Sequence, residues 1–481
     1  MQKCVAVLGG GIGGLSACYY LSKSTHVSKV VLLEATGRFG GWINTTRRED
    51  GAVFEHGPRG VRPAGAVGRN TLNMLSDLGL ECEILPVPHD HVASKNRFLY
   101  MNGEIHKLPS SLSGVVKTVP PFSSPIILSV MKEILVRKGK EEDESVHSFM
   151  SRRFGSELAD IAMDCLCRGV FAGDSRKLSV RSCFLPLHRA EQDWGSVLLG
   201  LLLSGGGGGE KAGAGSMSAL ARRARAESWS QWSLTDGMQT LPDALQEALR
   251  GRERVELHHS TPVRTLTHTA GGWEIKLENG ATLNADHVIS ALPASVLASL
   301  LPPAAAPLSH LLCEINTVSV GLVNLEYEGS VLPVTGFGHL IPSSVDKSVL
   351  GVVYDSVPFP QHNRRGEPTT RMTVMMGGAW FEETLGPPDE VKDQVLLDGA
   401  LQAVRSHLNI TSSPVWSRAA VLKNCIPQYH LGHWKRLEAM RQYISDHALP
   451  LTLTGASFNG VSVNDVIFSG RTAAEGLLGK L

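Results

Sequence analysis

Gly9-Gly10-Gly11-Ile12-Gly13-Gly14 follows directly on the apolar run Val5-Ala6-Val7-Leu8, and Glu34 closes a second run, Lys29-Val30-Val31-Leu32-Leu33. These residue types at this spacing suit one task, the holding of a dinucleotide. Gly9 permits a tight turn after a strand, Gly11 lets the backbone approach a pyrophosphate, and Gly14 lets the following helix lie close to the sheet. The N–H groups at that helix's N-terminus then face the phosphates. Glu34 lies 20 residues beyond Gly14, where a carboxylate accepts bonds from ribose hydroxyls and disfavours a 2′-phosphate, which argues against NADP. A glycine run alone would fit an ordinary βαβ crossover. The strand before it, the helix after it and the acid at the right distance make the pattern specific.

The elements that must position these residues come from separated parts of the chain. Its 481 residues suggest two or three domains. The fold expected is α/β: a Rossmann-like discontinuous dinucleotide-binding domain of residues 1–89, 225–303 and 447–481, a mixed-sheet second domain of residues 304–446, and an α-helical insertion of residues 90–224. In the first of these, Trp273 to Leu277 alternates and Asn279-Gly280 reads as a hairpin turn. In the second, Val318–Tyr327, Val349–Asp355 and Arg371–Met376 read as strands and Val391–Leu408 as one helix. The insertion carries Pro125 to Leu135, an apolar helix followed by Arg137, Lys138 and Lys140. That pattern suits a membrane surface, although a core helix with a solvated end would look the same. Trp194–Leu203 is a second apolar stretch, and Ser204–Ser216, with Gly205–Gly209 in a row, reads as a flexible loop.

Composition excludes several classes. Lys plus Arg and Asp plus Glu are both 46, so no nucleic-acid partner is expected. The eight cysteines include no CxxC pair, which argues against a zinc site or redox dithiol. No apolar run reaches the roughly 18–20 residues that span a bilayer. The first strand begins so early that no cleaved leader is expected, and any organelle import would use an internal signal. The sequence offers no serine–histidine–acid set, paired carboxylates or metal cluster. His56 and His339 lie near the motifs but read as structural.

The turn Arg38-Phe39-Gly40-Gly41-Trp42 completes an E-x-x-x-R-x-G-G pattern with Glu34. It resembles the FAD site of the amine oxidase and protoporphyrinogen oxidase superfamily. So do Asp286–Pro293 and Gly455-Ala456 with Gly460-Val461-Ser462-Val463-Asn464-Asp465. A helix starting near Asp465 would aim its positive end at the flavin, with Asp465 read alternatively as a plain N-cap. The last motif contains no cysteine, so the FAD is expected to be non-covalent. Phe54–Pro63, Asn96–Tyr100, Arg168–Gly173, Ser182–Phe184, Trp229–Ser233 and Lys423–Tyr429 resemble, more specifically, the vertebrate-type protoporphyrinogen oxidase family, and the likeness runs the length of the chain.

This resemblance implies a six-electron oxidation of protoporphyrinogen IX to protoporphyrin IX, the penultimate step of haem synthesis. Molecular oxygen is the acceptor, and three hydrogen peroxide molecules form. It implies a homodimer bound peripherally to the mitochondrial inner membrane on the intermembrane-space side. The insertion would touch the membrane surface, and a hand-off of product to ferrochelatase is a further possibility. Cofactor contacts carried over are Gly9, Gly10, Gly11, Ile12, Gly13, Gly14, Glu34, Trp42, Gly57, Pro58, Arg59, Gly60, Val263, Ala456, Val461, Ser462 and Val463. Substrate contacts carried over are Arg97, to hold a propionate bidentately, Phe98, to pack on a pyrrole ring, and Ala172, Gly338, Leu340, Val353 and Met375, as an apolar wall. No protein catalytic residue is expected, since hydride transfer from a meso carbon to the flavin demands positioning more than a strong base. Two other readings stay open: an amine or polyamine oxidase on the same fold, and a non-catalytic tetrapyrrole carrier.

Overall fold

A computed structural model of the chain describes residues 3–110, 112–205 and 217–479. Most of the expected glycine loop at 204–216 lies outside the described residues. Five strands form a parallel sheet in the order Leu451–Leu453, His287–Ser290, Lys3–Leu8, Val27–Leu33, Val255–His258. A parallel sheet covered on both faces needs near-continuous apolar strands, and Val5–Leu8 is fully buried. Helices Ile12–Ser22, Gly65–Asp77, Thr240–Arg250 and Val463–Leu478 pack on one face. The other face carries helices Ala294–Leu300, Ala306–Cys313 and His433–Asp446, together with an antiparallel sheet of Val263–Thr269, Gly272–Leu277 and Thr282–Ala285. The first and last helices touch almost backbone to backbone. A Cβ on Gly470 would stand 2.5 Å from the Gly13 carbonyl oxygen, and the Ser16 hydroxyl donates to the Ile467 carbonyl at 2.8 Å.

A seven-stranded mixed sheet runs Trp416–Pro427, Thr317–Glu328, Thr369–Gly378, Val349–Val353, Gly338–Leu340, Phe98–Met101, Glu104–Lys107. Helix Asp393–Leu408 covers one face with Leu396, Ala400, Val404 and Leu408, four residues apart. Here the chain differs from the reading of its sequence. Residues 98–107, counted with the helical insertion, are two strands of this sheet. Helices Ala306–Cys313 and His433–Asp446, counted with the second domain, pack on the parallel sheet. The reason is burial. Leu308, Leu312, Leu437 and Met440 find their apolar partners there.

The insertion includes helices Ile126–Glu133, Val146–Phe154, Asp164–Phe171, Leu185–Trp194 and Val197–Gly205. The stretch Trp194–Leu203 is therefore not continuous. Gly195, at φ +73°, ends one helix, and the Glu133 carboxylate caps the next by accepting the Val197 N–H at 2.7 Å and the Ser196 hydroxyl at 2.6 Å. Glu133 also pairs with Arg153 at 2.8 Å, and Arg153 pairs with Glu191, all three side chains being buried. This ionic clip leaves Leu128, Met131, Ile134, Leu135, Trp194, Leu199, Leu201, Leu202 and Leu203 in solvent. No helix among the described residues is long and apolar enough to cross a membrane.

Candidate functional site

Strand Lys3–Leu8 delivers Gly9 in a left-handed turn, φ +95°, and helix Ile12–Ser22 starts with Gly11 as an N-cap that contributes no side-chain bond. Gly14 is where that helix grazes the turn: a Cβ there would lie 1.9 Å from the Gly9 carbonyl oxygen. Gly11 is the reverse case. A Cβ on it would meet only the Gly41 Cα, at 3.8 Å, so its outer side is open. The second glycine turn closes over the first. Gly40 N–H donates to the Gly10 carbonyl at 2.9 Å, and Arg38 donates to the carbonyls of Ile43, at 2.9 Å, and Gly41. The Glu34 carboxylate stands between the turns, accepting from Gly10 N–H at 2.7 Å and from Thr36 N–H at 2.8 Å and its hydroxyl at 2.7 Å. Ser260 and Thr261 N–H groups bond to Thr36 and Glu34, which brings Val263 to the same rim. An open glycine face beside a helix N-terminus, with a fixed carboxylate at its edge, fits a pyrophosphate and an unphosphorylated ribose.

A second helix N-terminus belongs to Val463–Leu478. It starts two residues before Asp465, and the cap is Ser462, not Asp465. The Ser462 hydroxyl accepts the Asp465 N–H at 3.2 Å and donates to the Asp465 carboxylate at 2.6 Å. Asp465 is the third helical residue of a reciprocal cap. The loop Gly455–Gly460 ahead of it is pinned by Tyr429, whose hydroxyl accepts Gly460 N–H at 2.8 Å and donates to the Ala456 carbonyl. Next to it, Gln428 donates to the Phe171 carbonyl at 2.8 Å, so the strand end that fixes this loop also holds the segment before Ala172. Neither Gln428 nor Tyr429 received a role from the sequence. The signal was present in their family motif, but its purpose is visible only in three dimensions.

The turn Gly57–Gly60 is packed against the second glycine turn, with a Gly57 Cβ position 1.9 Å from the Trp42 carbonyl oxygen. Trp42 itself is 45% exposed and is not a core residue. Arg59 makes a bond the sequence did not suggest. It donates to Asp355 at 2.7 Å, and the second Asp355 oxygen accepts from Thr373 at 2.6 Å. Arg59 is thus neutralised by a carboxylate on the far sheet. Ile12 and Val463 are buried, and Ala456 and Val461 are half-buried against the nucleotide core and the insertion core, respectively.

On the seven-stranded sheet, Gly338 lies opposite Val353, Leu340 opposite Gly351, and Gly351 opposite Met375. Opposed residues share a face and alternate residues return to it, so Gly338, Leu340, Val353 and Met375 form one surface. Ala172, at φ +48°, packs in the cluster that Met375 borders and accepts the Ala379 N–H through its carbonyl at 2.8 Å. Phe98 is opposite His339, and so lies on the reverse face. It is buried in the core with Val352 and Tyr354, which removes it from the apolar wall. Arg97, just before it, is exposed, with its guanidinium over the Phe337 ring at 6.0 Å. Partial desolvation of the guanidinium, and then the charge of Arg62, lower its pKa.

His339 donates to or accepts from Tyr354 at 2.7 Å and His407 at 3.0 Å, and His56 is held by Asn324 at 2.8 Å and Thr46 at 2.6 Å. Burial pushes His56, His362 and His433 down to about 4, and lowers His339 and His407 as well. In the unfolded chain these rings take protons near pH 6.5. Their contribution to stability is therefore complete above that pH and is lost as pH falls from about 6.5 toward 4. Glu55, raised to about 7 by burial, acts in the opposite sense, stabilising at low pH and losing that contribution as pH rises through 7. Five groups outweigh one, so urea unfolding midpoints should be lower at pH 5 than at pH 7. Equal midpoints would contradict the buried, neutral assignment.

Fold and cradle together define a flavin-dependent oxidoreductase. The model of the flavin containing amine oxidoreductase family matches residues 12–478. The human protein named protoporphyrinogen oxidase is 51% identical over 480 residues, covering 100% of this chain and 99% of its own, and its bovine counterpart is 50% identical with the same coverage. A crystal structure of a putative protoporphyrinogen oxidase from Exiguobacterium sp. 255-15 superposes with a TM-score of 0.80 over the whole of both chains at 22% identity, a likeness of fold. The chain belongs to the flavin containing amine oxidoreductases and, within them, to the protoporphyrinogen oxidase family. Its cofactor is FAD.

Proposed function

We propose that this protein oxidises protoporphyrinogen IX to protoporphyrin IX with molecular oxygen as acceptor, as the penultimate step of haem synthesis. The observation that carries the reading is full-length identity of 51% to a protein of that name. FAD, when bound, supplies the chemistry by accepting a hydride from the porphyrinogen ring and returning the electrons to oxygen as peroxide. The chain's own residues bind, orient and exclude water. The two glycine turns and Glu34 hold the dinucleotide, and the Ser462-capped helix directs its positive end toward negative charge that develops on reduction. The surface of Gly338, Leu340, Val353 and Met375, closed by Ala172, is the apolar wall for the macrocycle. Arg97 takes a propionate. With its carboxylate already supplied by Asp355, Arg59 positions the turn beside the flavin rather than binding substrate charge. An aromatic cage for an amine finds no counterpart in this wall of glycine, leucine, valine and methionine.

Leu199, Leu201, Leu202 and Leu203, with Met131 and Leu135, leave six large apolar side chains of the insertion in solvent, as an interaction surface would. This exposure supports peripheral attachment to a membrane surface, in this family's setting the intermembrane-space side of the mitochondrial inner membrane, as a homodimer. Product released at that face would pass along the membrane toward ferrochelatase.

The test is porphyrin fluorescence against time with purified, FAD-loaded protein, air and protoporphyrinogen. A rate well above autoxidation is expected, and a rate equal to the blank would overturn the substrate. Arg97→Ala should raise KM by about tenfold to a hundredfold while FAD stays bound. An unchanged KM would remove Arg97 from the site.

A further inference from the structure

The connection from strand Trp416–Pro427 to helix His433–Asp446 carries two buried aromatic side chains, Tyr429 and His433, each 2% exposed. Their rings stack at 4.1 Å between centroids, with 15° between their planes. Both direct their polar atoms to one short segment, Gly455–Gly460. The Tyr429 hydroxyl donates to the Ala456 carbonyl and accepts the Gly460 N–H at 2.8 Å, and His433 Nε2 donates to the Phe458 carbonyl at 3.1 Å. Three backbone groups of the loop thus take their partners from one stacked pair. The loop needs such a template, because Gly455 and Gly460 lie at φ +102° and +123°, outside any helix or strand whose ladder would hold them. The pair is itself anchored, since the Tyr429 carbonyl accepts the Ser179 N–H at 2.8 Å.

The two ends of the loop touch the two halves of the cradle. A Cβ on Gly13, in the first glycine turn, would stand 3.6 Å from the Gly455 Cα. A Cβ on Gly460 would stand 2.5 Å from the Asp465 Cβ, in the first turn of helix Val463–Leu478. The shape of this loop therefore sets the spacing between the first glycine turn and the second helix N-terminus. We propose that Tyr429 and His433 are positioning residues for the flavin: they hold the loop Gly455–Gly460 so that the helix behind Ser462 keeps its positive end on the charge that develops on reduction. The inference deepens the reading of that helix N-terminus as the flavin's neighbour, and rests on it.

The experiment compares wild-type holoenzyme with Tyr429→Phe, His433→Phe, Ser462→Ala and Tyr443→Phe. The last is the control. Tyr443 stacks on His447 at 3.9 Å in the same helix, but its hydroxyl donates to the Ala304 carbonyl, away from the loop. Two quantities are read: the rate of FAD release, from the rise of free-flavin fluorescence on dilution, and the two-electron midpoint potential, against a reference dye. Tyr429→Phe keeps the ring and loses both hydroxyl bonds. Its FAD should leave about tenfold faster, and its flavin should be about fivefold harder to reduce at equilibrium, roughly 20 mV more negative for a two-electron couple. His433→Phe should shift both in the same sense by less, and Tyr443→Phe should shift neither. Wild-type release and potential in Tyr429→Phe overturn the inference. So does a lower melting temperature with both quantities unmoved, which marks a structural role alone. Should Tyr429→Phe not fold, His433→Phe decides on the same two quantities. Ser462→Ala separates the two levels of the argument. A potential it shifts while Tyr429→Phe does not leaves the helix reading standing without the positioning pair, and a potential it leaves in place overturns the helix reading and the inference together.

Discussion

Gly14→Ala should cost the protein a large share of its stability, while Gly11→Val, only three residues earlier, should leave a stably folded protein without colour. The methyl group at Gly14 would stand 1.9 Å from the Gly9 carbonyl oxygen, backbone against backbone, with no flexible side chain to give way. Overpacking of this kind costs about 1–3 kcal/mol or more, against a total stability of roughly 5–15 kcal/mol for a folded domain. At Gly11 the backbone has φ −68° and ψ 178°, open to any residue, and a Cβ makes one ordinary contact. A valine side chain would extend into the open space beside Gly11, the space proposed here for the pyrophosphate. Circular dichroism, gel filtration and the flavin-to-protein ratio separate the cases. A yellow, FAD-replete Gly11→Val variant would contradict the cradle.

The second large effect concerns the insertion. Arg153→Met leaves the buried Glu133 without a cation and the buried Glu191 with Arg152 alone. Breaking one partner of a buried ionic cluster costs about 3–5 kcal/mol. Glu133→Gln is milder, since the amide oxygen can still accept from Val197. Protease cleavage within residues 112–205 should accelerate strongly in Arg153→Met and weakly in Glu133→Gln, with FAD retained in both. A cleavage pattern like that of wild type would show that the clip carries little of the insertion's stability.

The cradle was legible because its chemistry is local. Gly9–Gly14, Glu34 and Arg38–Gly41 are read within one crossover, and the structure brings them together around the open face of Gly11. The Asn279-Gly280 turn was legible for the same reason. Asn102-Gly103 carries the identical signal, with both residues at positive φ, 56° and 81°, the geometry of a tight hairpin. Its two flanking strands are only four residues each, so they carry little alternation to mark them as strands. The hairpin places residues 98–107 on the seven-stranded sheet, not in the helical insertion. The face of Phe98 was hidden too, since a side chain's direction in a sheet depends on register with a distant strand, here His339. Pairing over distance was illegible outright. Nothing in sequence joins Arg59 to Asp355, 296 residues away, or distinguishes that paired cation from Arg97, whose guanidinium lies over Phe337.

The parallel sheet also sets a timetable for the chain's birth. Its central strand, Lys3–Leu8, leaves the ribosome well before its neighbour His287–Ser290, and the edge strand Leu451–Leu453 follows later still. Pairing between such distant segments is slow, and the waiting strand stays exposed to wrong partners until then. Helix Val463–Leu478, which covers the sheet, follows that last strand. Completion of the sheet therefore waits for segments made long after its central strand, whose free edge stays open to wrong pairing in the interval.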